Sequence, residues 1–525
     1  MTVSRFAAFS SIFALALAAG IAREKEEAFQ SVQQSVQERT GKAVRWQEDQ
    51  KARQQALQDV RQILRKPLTV DTAVQIALLN NRSLQATFEE IGLSAADVLE
   101  AAAIPNPRFD LAVRFPDKPP SGTYVDYNAA IDFLSIIMIP LKKRVAKDQL
   151  ESATLRVADD TLELISQVKS TFYSLQASQQ LLQRFKLIVD TNAASLDLAQ
   201  RQYEAGNISD LALARQQATY SHSRLDVART EAEIRRNREK LDRLLGLWGP
   251  DTDWQISGEL PEVPRSELST RGLERLAISQ RLDLQADYLQ VASQAKNLGL
   301  TKSFRLLGAL DFGVESERET DSQTRTGPRF AIELPVFNQG QARIAKGEAA
   351  LRQAQDKFEA LAIDVRSQIR ELQDELASKR QIALFYQDEL VPDQRRILKE
   401  SLINYNAMEI GDFELFTTKA EEARTEREYL EAIRDYWITR VALERAVGGN
   451  LYVYNPTRLH SSLGYLSPIE FENSLFSPTK RPTINEQLSA FSKPDQAKIC
   501  GAIEDEDDSG APKLAQQRER NSRQN

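Results

Sequence analysis

Two stretches, Tyr203–Asp210 (YEAGNISD) and Tyr405–Asp412 (YNAMEIGD), read as two copies of one turn. Each lies in the middle of about a hundred residues of otherwise continuous helical pattern, so each sends a long helix back along itself. In the first, Gly206-Asn207 supplies the left-handed backbone that closes one helix, and Ser209-Asp210 caps the next. In the second, Met408 stands in place of the early glycine. Gly411-Asp412 is expected to do the same work three residues later.

The helices that enter these turns carry a repeat of seven. Val168, Leu175, Leu182, Val189, Leu196 and Tyr203 recur at that spacing before the first turn, and Ile369, Leu376, Ala383, Leu390 and Ile397 before the second. Sustained sevens mean helices wound around one another with a left-handed twist. The roughly 60 residues from Lys142 to Tyr203 would make a rod of about 90 Å.

The turns belong to a longer repeat of about 200 residues. LTVDTAVQIALLNNRSLQA (68–86) aligns with LSTRGLERLAISQRLDLQA (268–286), QVKSTFYSLQ (167–176) with DVRSQIRELQ (364–373), and LDRLLG (241–246) with LERAVG (443–448). The first copy spans 68–248 and the second 268–450, joined by a linker at 249–267. Each opens with a helix, about 69–103 or 268–302, followed by a strand hairpin, about 108–140 or 304–336. A helical hairpin follows, about 142–246 or 340–448, ending at Gly246 or Gly448.

The hairpin strands alternate with period two. Phe109, Leu111, Val113 and Phe115 alternate with Asp110, Ala112 and Arg114; Val125, Tyr127, Ala129, Ile131 and Phe133 with Asp126, Asn128, Ala130 and Asp132. In the second copy Leu310, Phe312 and Val314, then Phe330, Ile332 and Leu334, do the same. A soluble half-buried sheet gives this pattern, and so does a sheet between lipid and water. Four strands cannot close a barrel, since the smallest outer-membrane barrels need about eight. Open edges are not tolerated in lipid, so a membrane role requires several chains to pool strands, and three would give twelve.

Phe6–Ala22 is almost wholly apolar, follows Arg5, and ends in Gly20-Ile21-Ala22 before the charged run REKEE. This reads as a signal peptide at 1–22, placing the mature chain outside the cytoplasm. Residues 23–67 are polar and compatible with a helix or with disorder. The formal net charge of −7 argues against a nucleic-acid partner. One cysteine, Cys500, and two histidines, His222 and His460, leave little material for a metal site or a histidine-based triad. The expectation is no enzyme, no cofactor and no metal.

The doubled helix–strand–strand–helix plan, the LQA segment in both copies, the Pro-then-long-helix junctions at Pro140 and Pro335, and YEAGNISD together resemble the TolC-like outer-membrane factors over about 68–450. The resemblance implies a mainly α fold with β: a homotrimer whose long antiparallel coiled-coil barrel carries a twelve-stranded transmembrane β-barrel. It also implies a passive exit duct of a tripartite efflux pump or type I secretion system, set in outer-membrane lipid. The partners would be a periplasmic adaptor (membrane fusion) protein and an inner-membrane transporter of the resistance-nodulation-division (RND) type. The alternative is a periplasmic coiled-coil structural or adaptor protein that forms no channel.

Two features depart from that family. Ile21 follows Leu17-Ala18-Ala19-Gly20 where many relatives carry a lipid-modified cysteine. Residues 451–475 include YNPTRLHSSLGYLSPIEFE (454–472), similar to the tail of insertion-sequence transposases, and 476–525 reads as disordered.

In the family the closed periplasmic end commonly carries acidic rings just after the second turn. Here that stretch holds Asp412 and Glu414, with Asp210 at the matching place in copy one. The candidate gate is therefore Gly206, Asp210, Gly411, Asp412 and Glu414. The plainer reading is that acids in a helix's first turn complement its dipole.

Overall fold

The computed structural model describes residues 2–449 except 116, 118–121, 266–271, 308–309, 320, 322 and 334. The transposase-like segment 451–475 and the tail 476–525 lie outside the described residues, as does most of the first hairpin turn. The chain divides into two compact units, each drawing on both copies of the repeat.

One unit comprises Met1–Gln58, Leu78–Thr161 and Leu282–Ile363. Its N-terminal part settles the polar segment: α1 (Thr2–Thr40) is helical, and so is α2 (Gln50–Leu64). α1 runs unbroken past residue 22, so backbone conformation does not mark a cleavage point. Phe29, Trp46 and Phe88 meet edge to face or tilted, with centroids 5.2–6.2 Å apart. The Trp46 indole donates to Glu89 Oε1 at 3.0 Å, and Lys25 lies 4.0 Å over its ring. Burial of these aromatics orders a segment whose composition alone is ambiguous.

The opening helix of each copy is broken, where a single helix was expected. α3 (Val70–Asn80) and α4 (Arg82–Ala102) are separated at Asn81, whose extended backbone lets its side chain accept from Leu84 N. In copy two, α7 (Leu273–Gln280) and α8 (Leu282–Ser303) are separated at Arg281.

Four antiparallel strands, β1 (Arg108–Arg114), β2 (Tyr124–Asp132), β3 (Leu310–Arg318) and β4 (Thr324–Ile332), form one sheet in sequence order. The register aligns Leu111 with Tyr127, Ala129 with Val314 and Phe312 with Phe330, gathering the apolar residues of all four strands on one face. The other face carries Asp110, Asp126, Asn128, Glu315 and Glu317 with Arg108, Arg114, Arg325 and Arg329. The apolar face is uncovered: Phe109 is 69% exposed, Leu111 60%, Phe330 69% and Ile332 60%.

The first strand hairpin ends earlier than expected. α5 (Phe133–Glu204) follows β2 directly, so Pro140 lies inside the helix instead of before it. The cause is Asp132, whose carboxylate accepts from Ser135 N at 3.0 Å and from Ser135 Oγ at 2.6 Å, capping the helix at the last strand residue. In copy two the long helix α9 (Gln341–Phe385) starts only after Gly340, at φ 78°.

The other unit comprises Asp59–Ala77, Leu162–Arg281 and Asp364–Asn525. Within it α6 (Asp210–Leu245) ends at Gly246 and α11 (Asp412–Val447) at Gly448, both left-handed. Leu68 pairs with Ile256 in an isolated bridge, and Trp254 in the linker is buried with its indole donating to Asp242 at 2.7 Å.

The repeat of seven is buried at the start of each long helix; in copy one Leu182, Val189 and Leu196 are half-buried and Tyr203 is exposed, and in copy two the spacing itself slips. Val168 and Leu175 on α5 are fully buried, as are Ile369, Leu376 and Ala383 on α9. The next buried position is Val391, eight residues on. A π-helical turn, Tyr386–Leu390, intervenes, with Val391 N bonded to Tyr386 O. Pro392, second residue of α10 (Val391–Asn406), is the reason: it has no N–H for the carbonyl four residues back, and its ring would collide with that carbonyl. Leu390 is only half-buried and Ile397 is 46% exposed. Among the described residues no helix is long and apolar enough to cross a membrane.

Candidate functional site: the helical turns and the acids beside them

Both turns close with the same pair of hydrogen bonds. In the first, Asn207 N donates to Gln202 O at 2.8 Å and Gly206 N to Tyr203 O at 2.9 Å. In the second, Glu409 N donates to Asn404 O at 2.8 Å and Met408 N to Tyr405 O at 2.9 Å. This double bond pattern needs a left-handed residue just past the helix end. Gly206 takes it at φ 76°, and Met408 takes it at φ 63°.

The expectation for Gly411 is thereby corrected. Its backbone is extended, φ −89° and ψ 167°, and it precedes α11 as the cap residue. Its carbonyl accepts from Glu414 N at 3.1 Å, but it has no side chain to cap with. The corresponding Ser209 does, accepting from Ala212 N at 3.3 Å. Met408 holds a conformation that costs an L-residue about 1–2 kcal/mol, and its side chain is 93% exposed.

Asp210 and Asp412 are the first residues of α6 and α11, and Glu414 lies in the first turn of α11. All three therefore sit where backbone N–H groups are unsatisfied and negative charge is favoured. Sequence reasoning missed the partner of Asp412. The Tyr405 hydroxyl donates to its Oδ1 at 2.6 Å, bridging the turn from one helix to the next. That bond, and the carboxylate charge, raise the Tyr405 pKa above its ordinary value. The same Tyr-to-Asp spacing exists in copy one, yet no such bond joins Tyr203 to Asp210 among the described residues.

Farther along α11, Glu426 ties three helices. Its buried carboxylate accepts Arg184 Nη1 of α5 at 2.9 Å and Arg395 Nη2 of α10 at 2.8 Å. Burial, and then the neighbouring Glu426, push the Glu422 carboxyl upward. In sequence these are two glutamates four apart on a charged helix, and nothing there distinguishes them from a solvated face.

Residues 73–247 match the outer membrane efflux protein family. The chain is similar to the cobalt-zinc-cadmium resistance protein CzcC of Cupriavidus metallidurans, at 21% identity over 391 residues, covering 73% of this chain and 90% of that one. Its fold is that of solved channels. CusC superposes with a TM-score of 0.59 at 18% identity, covering 73% of this chain and 92% of CusC. The outer-membrane channel OprN gives 0.61 at 16%, covering 74% and 92%. The Campylobacter jejuni outer membrane channel CmeC gives 0.61 at 15%, covering 72% and 85%. With its doubled turns, four-stranded sheet and long helical hairpins, the chain has the fold of these outer-membrane channels and matches the outer membrane efflux protein family over residues 73–247.

Proposed function

We propose that three copies of this chain pool their strands into a twelve-stranded outer-membrane barrel, and that the assembly is the exit duct of an efflux machine. The carrying observation is the sheet. Among the described residues nothing covers its apolar face, and β1 and β4 leave both edges unpaired. A soluble coiled-coil adaptor would bury that face against its own helices. Lipid accepts the face but not the edges, and symmetric copies remove the edges. The helical hairpins then line the periplasmic part of the conduit, where an adaptor and an RND-type transporter would dock. The name of the relative makes divalent transition metals the first cargo to test. A duct needs no metal ligands of its own for that role.

Mild detergent extraction followed by crosslinking is expected to give a trimer that conducts in a planar bilayer. A monodisperse monomer overturns the architecture.

The turn acids supply the gate in this reading. On a threefold axis Asp412, Glu414 and Asp210 each become a ring of three, and converging like charges attract cations. Asp412→Asn with Glu414→Gln is expected to lower cation preference in single-channel recordings while the trimer stays intact. Unchanged selectivity would leave these acids the helix-capping role alone.

A further inference from the structure

The polar face of the sheet contains a second feature, independent of the turns. Where β2 meets β3, acceptor faces acceptor: Asp126 is opposite Glu317, and Asn128 is opposite Glu315. On the other flank of β2, Asn128 pairs with Asp110. Cross-strand partners of this kind bring Cβ atoms to about 4.5–5.5 Å, and like charges so placed repel.

Several neighbouring donors are turned to other groups, Arg114 lying over the Tyr124 ring. Asn128 Nδ2 points to Asp110 Oδ2 at 3.4 Å. With carboxylates on both flanks, only one end of the amide finds a partner, and Oδ1 is left without a donor. Tyr124 donates its hydroxyl to Glu317. Arg325, opposite Glu317, is drawn 2.6 Å from Glu319 instead, and Arg329 reaches Glu315 only at 3.9 Å. Asn128 is 7% exposed, yet its Oδ1 has no hydrogen-bond partner, and neither has the buried Asp126 Oδ1. A buried acceptor without a donor is destabilising, and buried polar groups in folded chains are almost always satisfied.

We propose that this seam, Asp126, Asn128 and Glu315 with Asp110 beside them, binds one hydrated divalent cation per chain. Among the described residues no three carboxylate, histidine or cysteine groups stand close enough to chelate an ion directly. The chemistry that fits is therefore an ion held through one or two carboxylates, an amide oxygen and its own retained waters. Mg²⁺ binds in this way, because it sheds water reluctantly. The ion neutralises the facing acids, and its waters donate to the two orphaned oxygens. All of these groups belong to one chain, so the site does not depend on the trimer.

The test is equilibrium dialysis of the full-length, detergent-solubilised protein against MgCl₂ in a screening concentration of KCl, with oligomeric state measured on the same sample. Saturable uptake of one Mg²⁺ per chain is expected. It should be lost in Asp126→Asn with Glu315→Gln and in Asn128→Val, and unchanged in Asp412→Asn with Glu414→Gln. Thermal melting separates site loss from misfolding. Glu315→Gln should melt higher than the wild type in EDTA, because it relieves repulsion, and should no longer gain from Mg²⁺. No saturable uptake by the wild type, or uptake indifferent to the seam variants, overturns the proposal. A monomer that binds Mg²⁺ would sink the barrel and leave the site.

Discussion

The turn at Tyr203–Asp210 and the turn at Tyr405–Asp412 share their backbone hydrogen bonds and four of eight residues, and differ at the residues that close them and cap the next helix. Glycine closes the first without strain. Methionine closes the second against its own preference, and a Tyr405–Asp412 bond spans it. The same divergence recurs along the helices. Arg238 and Arg440 occupy equivalent places, but Arg238 stacks on Trp254 and donates to the carbonyls of Thr252 and Trp254. Arg440 is buried, donating to the Tyr436 hydroxyl at 2.9 Å beside Glu444 and Trp437. α5 runs through without a π turn, whereas its counterpart is interrupted at Pro392. What is repeated is a backbone path, and each copy stabilises that path with its own chemistry.

The arginine pair separates the copies most strongly. Arg440→Met removes a buried cation and leaves the half-buried Glu444 with Lys169 alone. The cost is expected near 3 kcal/mol. Arg238→Met removes a half-buried cation and two hydrogen bonds to backbone carbonyls of the linker, without stranding a buried countercharge, for about 1 kcal/mol. Urea midpoints of the two variants, followed by helical circular dichroism in detergent, measure the difference. Equal losses would show that burial is not what distinguishes the copies.

Much of this architecture is legible in the chain because it rests on periodicity. Alternation over Phe109–Phe115 and its three counterparts places one face of the sheet correctly, and the sevens place the start of each helical seam, as far as Leu175 and Ala383. Gly246 and Gly448 announce their helix ends, since their left-handed backbones are ones that glycine adopts freely. What resists reading is local and depends on a partner. Asn81 ends a helix because its side chain finds Leu84 N, and Asp132 starts one because Ser135 lies three residues ahead. Both act against a helical or strand pattern that continues through them. Pro392 is visible in sequence, but its consequence, one extra residue in the seam, depends on the preceding helix absorbing it as a π turn instead of breaking. Met408 is invisible as a turn residue because the turn's energy comes from bonds made by Glu409 N and Met408 N, not from the side chain. In the candidate site the acids could be found by alignment of the two turns. Their hydroxyl partner at Tyr405 lies in the quoted stretch itself, seven residues before Asp412, and needed only the geometry of a closed turn.

Exchanging the left-handed residues tests that account of the turns. Met408→Gly should stabilise the second turn by about 1 kcal/mol, since glycine adopts the conformation without steric cost. Gly206→Ala should destabilise the first by a similar amount, although nothing lies within 4 Å of the added Cβ. Hydrogen exchange of the amides at positions 206–207 and 408–409 reads each turn separately, slowing in one variant and quickening in the other. If Met408→Gly leaves exchange unchanged, the left-handed methionine carries no strain and the two turns are equivalent.

The smallest expected difference is the tyrosine tie. In the folded chain Tyr405 donates its proton to Asp412, so its pKa lies above the ordinary value of about 10. The neutral form is the one that is stabilised. Its contribution is therefore complete below that ordinary value and is lost as pH rises through the raised folded one. From mildly acidic to mildly basic conditions the turn should be indifferent to pH, and only strong alkali should release it. Difference titration of tyrosinate absorbance provides the measurement. Subtracting Tyr405→Phe from the wild type should reveal one late-titrating tyrosine, and Asp412→Asn should shift that same group back toward the ordinary range. Were Asp412→Asn to leave the titration of Tyr405 unchanged, the Tyr405–Asp412 bond would not persist in solution. The second turn would then differ from the first only in the strain at Met408.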